Sequence, residues 1–484
     1  MGSIRRSLVY SIADSYLALP LQLLGTMIIS RLLTPAETGI FAVAAVFAAF
    51  ASTFRDFGVA EYLIQEKELD SEKIRAALTV NIAISWLMGF GLFFGAPFAA
   101  VFYDSQGVGE VMRVQAFNFI LIPFGAVTMA NFRRLLDFRP MFIASLLANI
   151  TTFVVSVTCA YLGMSYMSLA WSSLAGVLVS VSVSIWFRPA DFPRWPGIRH
   201  IGRVIHFGKF ASGIYIFGQL GAGAPEMILG RLQGMVDVAL FSRASGLIEI
   251  FNRTVMRAIM PVCLPYFAKA NREQGTVVDG YLSSMSYLTA IGWPFLAFVG
   301  IEAYAAIRIM YGAQWMESVP LAQILCIAGA INMVHRLSKE VLIACGDVKH
   351  SNTLQIITQF TRIAGLFAVI PFGLVGACWG YLAGSIAGAL YAQWLLARMI
   401  GLTSQAVFKA CLPSAGIACF SILPVSVWAT ASGVSENNFL AHAFGGGAMT
   451  GLCWLVALRY LKHPLWKEAV EMSRKALDKL RPAP

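Results

Sequence analysis

The chain has 484 residues, of which 58% are hydrophobic and 13% charged, and its formal net charge is +11. A soluble globular protein has about 25% charged residues, so this chain has too little polar surface for a water-soluble particle. Lipid is the alternative solvent, and a helix needs about 20 mostly apolar residues to cross it.

Apolar runs of that length fill the sequence, and they predict about fourteen spanning helices. In chain order the runs cover residues 8–33, 39–60, 76–102, 113–132, 140–162, 165–187, 207–232, 237–260, 281–305, 316–345, 350–371, 373–398, 406–429 and 438–461. Membrane β-barrels show short alternating segments instead. The predicted fold class is therefore an all-α integral membrane protein.

The basic residues fall on alternate connections between these runs, which argues against nucleic acid as a partner. One set of connections is rich in Arg and Lys, whereas the other holds little beyond Arg31, Arg113, Arg231 and Arg308. Positive residues stay on the cytoplasmic side of a membrane. Both termini are therefore predicted to be cytoplasmic, which requires an even number of spans.

The longest basic connection divides the chain into unequal parts. We predict an N-terminal lobe of six spans at 1–187, a cytoplasmic linker at 188–206, a C-terminal lobe of six spans at 207–398, two additional spans at 399–461 and an amphipathic cytoplasmic tail at 462–484.

One stretch of the sequence occurs twice, 200 residues apart. "TMIISRLLTPAETGIF" (26–41) and "EMILGRLQGMVDVALF" (226–241) share five of sixteen ungapped positions, including Arg31 and Arg231. They end the first and seventh spans, so the two copies enter the membrane from the same side. Parallel repeats of this kind form two lobes around a central cavity, where transporters bind their solute.

Motifs for energy-coupled or catalytic chemistry do not occur in the sequence. There is no GxxxxGK[ST] and no HExxH, and the eight cysteines form no CxxC. Because these patterns mark nucleotide and metal sites, we predict a transporter and not an enzyme, with no metal and no cofactor.

Charges inside the eighth span mark a candidate solute site. At 100° per residue, Arg243, Glu249, Arg253 and Arg257 fall on an arc of about 120°. A charge at a helix centre costs about 2.5–3.5 kcal/mol unless it faces a cavity. We predict that the three arginines bind substrate and that Glu249 takes part in coupling. A salt-bridge cluster that only holds helices together is the alternative.

Other charged residues extend this prediction to further spans. Gly221, Gly223 and Pro225 indicate a broken helix just before Glu226, an arrangement that suits an ion or substrate site. Asp14 and Asp56 are further candidate coupling or gating residues, with H⁺ or Na⁺ as the coupling ion, and Arg362 is a further candidate substrate-binding residue.

Arg31 and Arg231 are predicted to lie at the outer ends of their spans. Each alone could be an interfacial anchor, but their symmetric placement favours two basic groups at the outer mouth of one cavity. An excess of arginine suits an anionic solute, and a diphosphate in particular, because guanidinium binds phosphate bidentately.

Two further stretches are read as structural. Glycines at every fourth position from 376 to 388 predict close approach of another helix. The charged stretch from His335 to Glu340 lies near the predicted cytoplasmic side, where side chains can reach the interface.

The sequence also resembles a known family. Arg31 to Pro35, Gly39, Asp56-Phe57-Gly58 and Ile64-Gln65 resemble the N-terminal signature of polysaccharide and O-antigen flippases. These are the Wzx-like branch of the multidrug/oligosaccharidyl-lipid/polysaccharide exporter superfamily. "ILGRLQGMVDVALFSRASGL" and "LIACGDVKHS" resemble it again in the second half. One departure is Glu66, where the family signature has a basic residue.

The resemblance implies a flippase of the bacterial inner membrane. It would move an undecaprenyl-diphosphate-linked oligosaccharide, an exopolysaccharide or lipopolysaccharide O-antigen repeat unit, to the outer leaflet by alternating access. A polysaccharide polymerase and the export machinery are the implied partners. An ion-coupled drug or cation antiporter and a lipid II flippase of the same superfamily stay open as alternatives. A membrane polymerase or ligase would need a larger outer loop than the sequence has.

Overall fold

The computed structural model describes residues 2–55, 58–273, 277–468, 470 and 471. These residues form nineteen α-helices and no strand. The helices of the first half are α1 Gly2–Leu32, α2 Pro35–Arg55, α3 Val59–Gln65, α4 Ser71–Phe102, α5 Gln106–Leu121, α6 Pro123–Arg134, α7 Arg139–Tyr161, α8 Met167–Trp186 and α9 Ile201–Leu232.

The second half contains ten helices. They are α10 Met235–Phe251, α11 Arg257–Arg272, α12 Val277–Ile301, α13 Ala303–Met310, α14 Ser318–Val334, α15 Ser338–Ala344, α16 Val348–Val369, α17 Gly373–Ile400, α18 Ser404–Ser432 and α19 Phe439–Tyr460. A π-helical turn, Asn252–Met256, separates α10 from α11.

The described helices make the chain a multi-pass membrane protein. Nine stretches are long and apolar enough to cross a bilayer, or ten if α5 and α6, bent by 52°, count as one. One of the nine, Val348–Ile400, has 53 residues and contains both α16 and α17. Each of the fourteen predicted runs coincides with one helix or with consecutive helices, while the total of fourteen stays a prediction.

Two compact units make up the chain. Unit 1 is Met1–Ala239 with Met310–Gln314, and unit 2 is Leu240–Ile309 with Trp315–Pro484. The predicted lobes, in contrast, are separated at the connection 188–206. That connection lies inside unit 1 and contacts α4 there. Thr79 of α4 donates to the Gly197 carbonyl oxygen at 2.7 Å and accepts from the Gly197 amide at 2.9 Å.

The helix break after Arg31 has a local cause. Thr34 precedes α2 and Pro35 begins it, where a missing N–H costs nothing. The Thr34 amide donates to Glu37 Oε2 at 2.7 Å, and the Glu37 amide donates to Thr34 Oγ1 at 3.3 Å. This reciprocal pair is a capping box. In the second copy, α9 ends at Leu232 and α10 begins at Met235, so the helix ends also repeat after 200 residues.

Close packing of α16 on α17 confirms the structural interpretation of the glycine repeat. A Cβ on Gly380 would lie 2.1 Å from the carbonyl oxygen of Gly365, and one on Gly384 would lie 2.2 Å from that of Thr361. Only glycine permits backbones to approach to this distance.

The predicted break before Glu226 is wrong. α9 is continuous from Ile201 to Leu232 with Pro225 inside it. The glycines serve packing instead, since a Cβ on Gly223 would lie 2.4 Å from Val46 of α2, and one on Gly230 would lie 2.9 Å from Val43. Contact with α2 thus holds the helix together through the proline.

Glu66, where the sequence differs from the family signature, lies in the turn after α3. Two basic side chains stabilise this turn. Lys73 Nζ lies 2.8 Å from Glu66 Oε1, and Arg134 donates to the carbonyl oxygens of Leu63, at 2.7 Å, and Glu66, at 2.5 Å. Arg134 therefore satisfies the carbonyls left over at the end of α3. An acid at position 66 is explained by its partner Lys73.

Unit 2 contains a buried acid–imidazole pair where α12, α18 and α19 end or begin. Glu302 and His442 are 1% and 0% exposed, and His442 Nδ1 lies 3.0 Å from Glu302 Oε1. Ser432 Oγ is 2.9 Å from the other ring nitrogen, and Trp428 stacks on the ring at 4.3 Å. The pair joins the additional spans α18 and α19 to the end of α12.

Candidate functional site

A polar pocket of about 300 Å³ lies within unit 2, between the ends of α11 and α14, the short helix α15, and the helices α16 and α17. Its charged and hydrogen-bonding lining consists of Asn332, His335, Arg336, Ser338, Lys339, Glu340, Ser351, Gln355, Thr358, Gln359 and Arg362. Three permanent cations and one carboxylate therefore share one pocket.

Arg362 is the best-positioned of these cations. One Nη donates to Asn332 Oδ1 at 2.6 Å, and the other donates to Gln359 Oε1 at 3.3 Å. The guanidinium also lies over the Tyr381 ring, 5.9 Å from its centroid. The hydrogen-bond partners of Arg362 are neutral amides, so neither of them offsets its positive charge toward a ligand.

The other charges of the pocket come from α15 and the turn before it. Arg336 interacts electrostatically with Glu340, Arg362 and Glu249, and Glu340 interacts with Lys339 and Arg336. Three cations against the single carboxylate of the lining leave the pocket with an excess of positive charge. Such a pocket favours an anion over a cation.

Unpartnered polar atoms also point to a ligand in this pocket. Among the described residues, Arg362 Nε, Glu340 Oε2 and Gln355 Oε1 are buried without a hydrogen-bond partner, and all three residues line the pocket. Buried polar groups are nearly always hydrogen-bonded. Three such atoms at one pocket indicate a place built to contact another polar molecule.

The pocket extends deep along α16. Its lining runs from Ser351, in the first turn of that helix, to Arg362. Eleven residues of α-helix rise about 16 Å, roughly half of the hydrocarbon thickness. A ligand in the pocket can therefore contact polar groups from the first turn of α16 to the charged Arg362 near the middle of the helix.

A π-helical turn interrupts the eighth span, so the geometry assumed for its predicted arc of charges is only partly correct, and the role of these charges stays a prediction. The arc assumes one continuous α-helix, but the π-helical turn Asn252–Met256 changes the phase before Arg257. Glu249 and Arg253 are half exposed, 3.7 Å apart. Arg243 lies over the buried ring of Trp315 at 4.9 Å. A π-turn within a helix often occurs at a functional site.

Of the six predicted substrate-binding arginines, all of which the structure describes, only Arg362 lines this pocket. Arg31 donates to the carbonyl oxygen of Met27 at 2.7 Å, and Arg231 lies over the Phe102 ring at 5.3 Å, both within unit 1. Their predicted role at an outer mouth stays a prediction.

The predicted coupling residues are placed only in part. Glu226 lies in α9 with its Oε2 buried and, among the described residues, without a partner. Asp14 belongs to α1, but its side chain lies outside the described part of the chain, as does the whole of Asp56. The predicted tail is described only to residue 471.

Arg336, Lys339 and Glu340 are the residues that the sequence prediction left out of the site. The stretch from His335 to Glu340 was visible as a charged interruption of the tenth span, but its position near the membrane surface favoured an anchoring role. A signal that could have identified it is Arg362, a second charged residue on the following span.

A bundle of apolar helices that contains a basic pocket defines a multi-pass membrane protein with a site suited to an anionic ligand. The sequence matches the family described as "Polysaccharide biosynthesis protein" over residues 28–320, which is more than half of the chain. The chain belongs to this family.

Individual relatives and structures agree with this assignment. The chain is 23% identical to teichuronic acid biosynthesis protein TuaB of Bacillus subtilis (strain 168), over 74% of this chain and 75% of that protein. It is 20% identical to lipopolysaccharide biosynthesis protein WzxC of Escherichia coli (strain K12), over 96% and 94%.

Two solved structures share the fold. Lipid II flippase MurJ in an inward closed conformation matches with a TM-score of 0.71 and 12% identity, over 94% of this chain and 99% of that chain. An inward-facing multidrug resistance MATE transporter of the MOP superfamily matches with a TM-score of 0.59 and 16% identity, over 83% and 96%. These similarities concern the fold alone.

Proposed function

We propose that this protein is a flippase for a lipid-linked oligosaccharide. It would move an undecaprenyl-diphosphate-linked repeat unit from the cytoplasmic to the outer leaflet of the bacterial inner membrane. The proposal rests on the convergence of Arg336, Lys339 and Arg362 on one pocket of unit 2. The family and the named relatives, which serve teichuronic acid and lipopolysaccharide biosynthesis, support it.

The lining of the pocket suits the diphosphate and the first sugar together. Guanidinium groups bind phosphate oxygens by paired, charge-assisted hydrogen bonds. Asn332, Gln355 and Gln359 add amides that can donate to and accept from sugar hydroxyls. A cationic drug would instead meet an excess of positive charge, which disfavours the antiporter alternative.

Loading would take place from the cytoplasm. The charge pattern of the connections predicts that the N-terminal end of α16, with Lys349, faces that side. A diphosphate would meet Lys339 and Arg336 near the surface and Arg362 deeper in the span. Alternating access would then carry the head group outward while the lipid chain stays in the bilayer.

An ion gradient is the proposed driving force, with H⁺ or Na⁺ as the coupling ion. Glu340 shares the pocket with the cations, so its protonation would change the net charge that the substrate meets. The predicted coupling residues Asp14, Asp56, Glu226 and Glu249 stay candidates beside it. The proposed transport involves no cofactor and no catalytic step. The proposed partner that receives the product is a polysaccharide polymerase with its export machinery.

Deleting the gene tests this function in cells. We expect a lipid-diphosphate-linked oligosaccharide to accumulate, inaccessible from outside the inner membrane. The wild-type gene should clear it, whereas an Arg336→Ala variant at equal abundance should not. Arg398→Ala is a matched control, because Arg398 lies at the end of α17 over Trp394 and outside the pocket.

The nature of the accumulated lipid separates the alternatives. Accumulation of lipid II would identify a lipid II flippase instead. If no lipid-linked glycan accumulates, the proposed function is wrong.

A further inference from the structure

Unit 1 contains a second, chemically different cavity. An apolar groove of about 600 Å³ lies between α2, α4, the beginning of α5 and α9. Its main lining residues are Phe47, Phe50, Met88, Phe98, Phe102 and Met227. Phe98 is 78% exposed, so the groove is open along one side.

Glycines keep this groove wide. Gly91 and Gly95 line it, and a Cβ on either would meet no atom within 4 Å. Gly89 on the same helix differs, because a Cβ there would lie 3.1 Å from the carbonyl oxygen of Ala116 on α5. Close helix packing thus explains Gly89 but not Gly91 or Gly95, which instead leave space beside α4.

One end of the groove is polar. Tyr103 lines it and is 5% exposed, and among the described residues its buried hydroxyl has no hydrogen-bond partner. Its ring packs edge-on against Phe102 at 4.9 Å. The Arg231 guanidinium lies over that same Phe102 ring at 5.3 Å. The groove therefore ends at a buried hydroxyl, and a guanidinium lies beside the lining residue Phe102 at that same end.

We infer that this groove binds the polyprenyl chain of the transported lipid, with its phosphates at Tyr103 and Arg231. The inference rests on the proposed function and adds a second contact site for the same substrate. A hydrocarbon chain ending in a phosphate matches the distribution of apolar and basic groups. The groove runs from Met88 to Phe102 along α4, which is about 21 Å of helix.

A branched polyprenyl chain fits this lining better than a straight acyl chain. The missing side chains at Gly91 and Gly95 leave room for methyl branches. Methionine adapts to irregular apolar shapes, and the groove contains Met88, Met112 and Met227. On the predicted topology the phosphate end lies toward the outer leaflet, so the groove would hold the lipid after its head group has crossed.

Filling the groove tests the inference. Wild type, Gly91→Phe and Gly95→Phe are reconstituted at equal amounts into phosphatidylcholine vesicles. Two substrates carry the same diphosphate-linked glycan, one on a full-length polyprenyl chain and one on a farnesyl chain. We expect wild type to move the long-chain substrate about tenfold faster, since each buried methylene contributes free energy. Each filled variant should lose that preference, which is the ratio of the two rates and so does not depend on the amount of active protein.

Two matched variants control for changes in the helix itself. Gly91→Ala alters the backbone preference but leaves the groove open, and Val101→Phe adds a ring on the 80% exposed side of α4. Both should retain the wild-type preference. An unchanged preference in Gly91→Phe and Gly95→Phe would overturn the inference. If wild type moves neither substrate, the proposed function itself fails.

Photocrosslinking distinguishes the polyprenyl chain from bulk phospholipid. A photoreactive phenylalanine analogue at position 98 should capture the long-chain substrate, and excess unlabelled long-chain substrate should compete for that capture. Capture of phosphatidylcholine that does not fall when substrate is added would assign the groove to membrane lipid and overturn the inference.

Discussion

Arg362→Ala is expected to lower the flipping rate about a hundredfold without loss of the protein from the membrane. A hydrogen bond to a charged group contributes about 1.5–3 kcal/mol, and each 1.4 kcal/mol corresponds to a factor of ten. Arg362 is held by Asn332 and Gln359 over Tyr381, so its guanidinium is oriented before substrate binds. The measurement is the rate at which a lipid-diphosphate-linked oligosaccharide moves between the leaflets of reconstituted vesicles.

The conservative variant separates binding from folding. Arg362→Lys keeps the charge but loses the planar fork, so we expect it to retain intermediate activity. Arg398→Ala should behave as wild type. If Arg362→Ala instead lowers the midpoint of thermal unfolding and the amount of inserted protein together, Arg362 is a structural residue and not a substrate ligand.

Gly380→Leu is expected to prevent correct folding of unit 2. Its Cβ would lie 2.1 Å from a backbone oxygen of Gly365, and no side-chain rotation can relieve a clash with backbone. Overpacking a core costs about 1–3 kcal/mol even where side chains can move, and here two helices must separate. We expect little monodisperse protein after extraction and a lower midpoint of thermal unfolding.

Gly451→Leu is the matched control for that experiment. Gly451 lies within α19, and a Cβ there would meet no atom within 4 Å. The same substitution should therefore leave abundance and thermal unfolding unchanged. Equal stability of the two variants would show that α16 and α17 can separate without consequence, against the packing described above.

Features that depend on neighbouring residues in sequence could be predicted from the sequence. The break between α1 and α2 follows from the end of one apolar run at 33 and the start of the next at 39, and the Thr34–Glu37 capping box that fixes it lies within four positions. The glycine repeat of α17 likewise predicted close packing, because its period alone places the glycines on one helical face.

Features that depend on tertiary packing could not be predicted in this way. The sequence shows Pro225 and its glycines, but the contacts of Gly223 and Gly230 with α2 decide that α9 stays continuous. From the sequence, Arg336 and Lys339 are predicted to be surface anchors. The structure shows that they line the same pocket as Arg362 of α16. The partners Glu302 and His442 lie 140 residues apart, and no local pattern connects them.

This chain alone is expected to move a diphosphate-linked oligosaccharide across a bilayer. The most direct measurement reconstitutes purified protein into vesicles with a fluorescent oligosaccharide on undecaprenyl diphosphate, and follows its protection from a membrane-impermeant quencher. We predict that wild-type vesicles exchange the labelled lipid between leaflets under an imposed ion gradient, and that Arg362→Ala vesicles do so about a hundredfold more slowly. Equal exchange in wild-type, Arg362→Ala and protein-free vesicles would contradict the account.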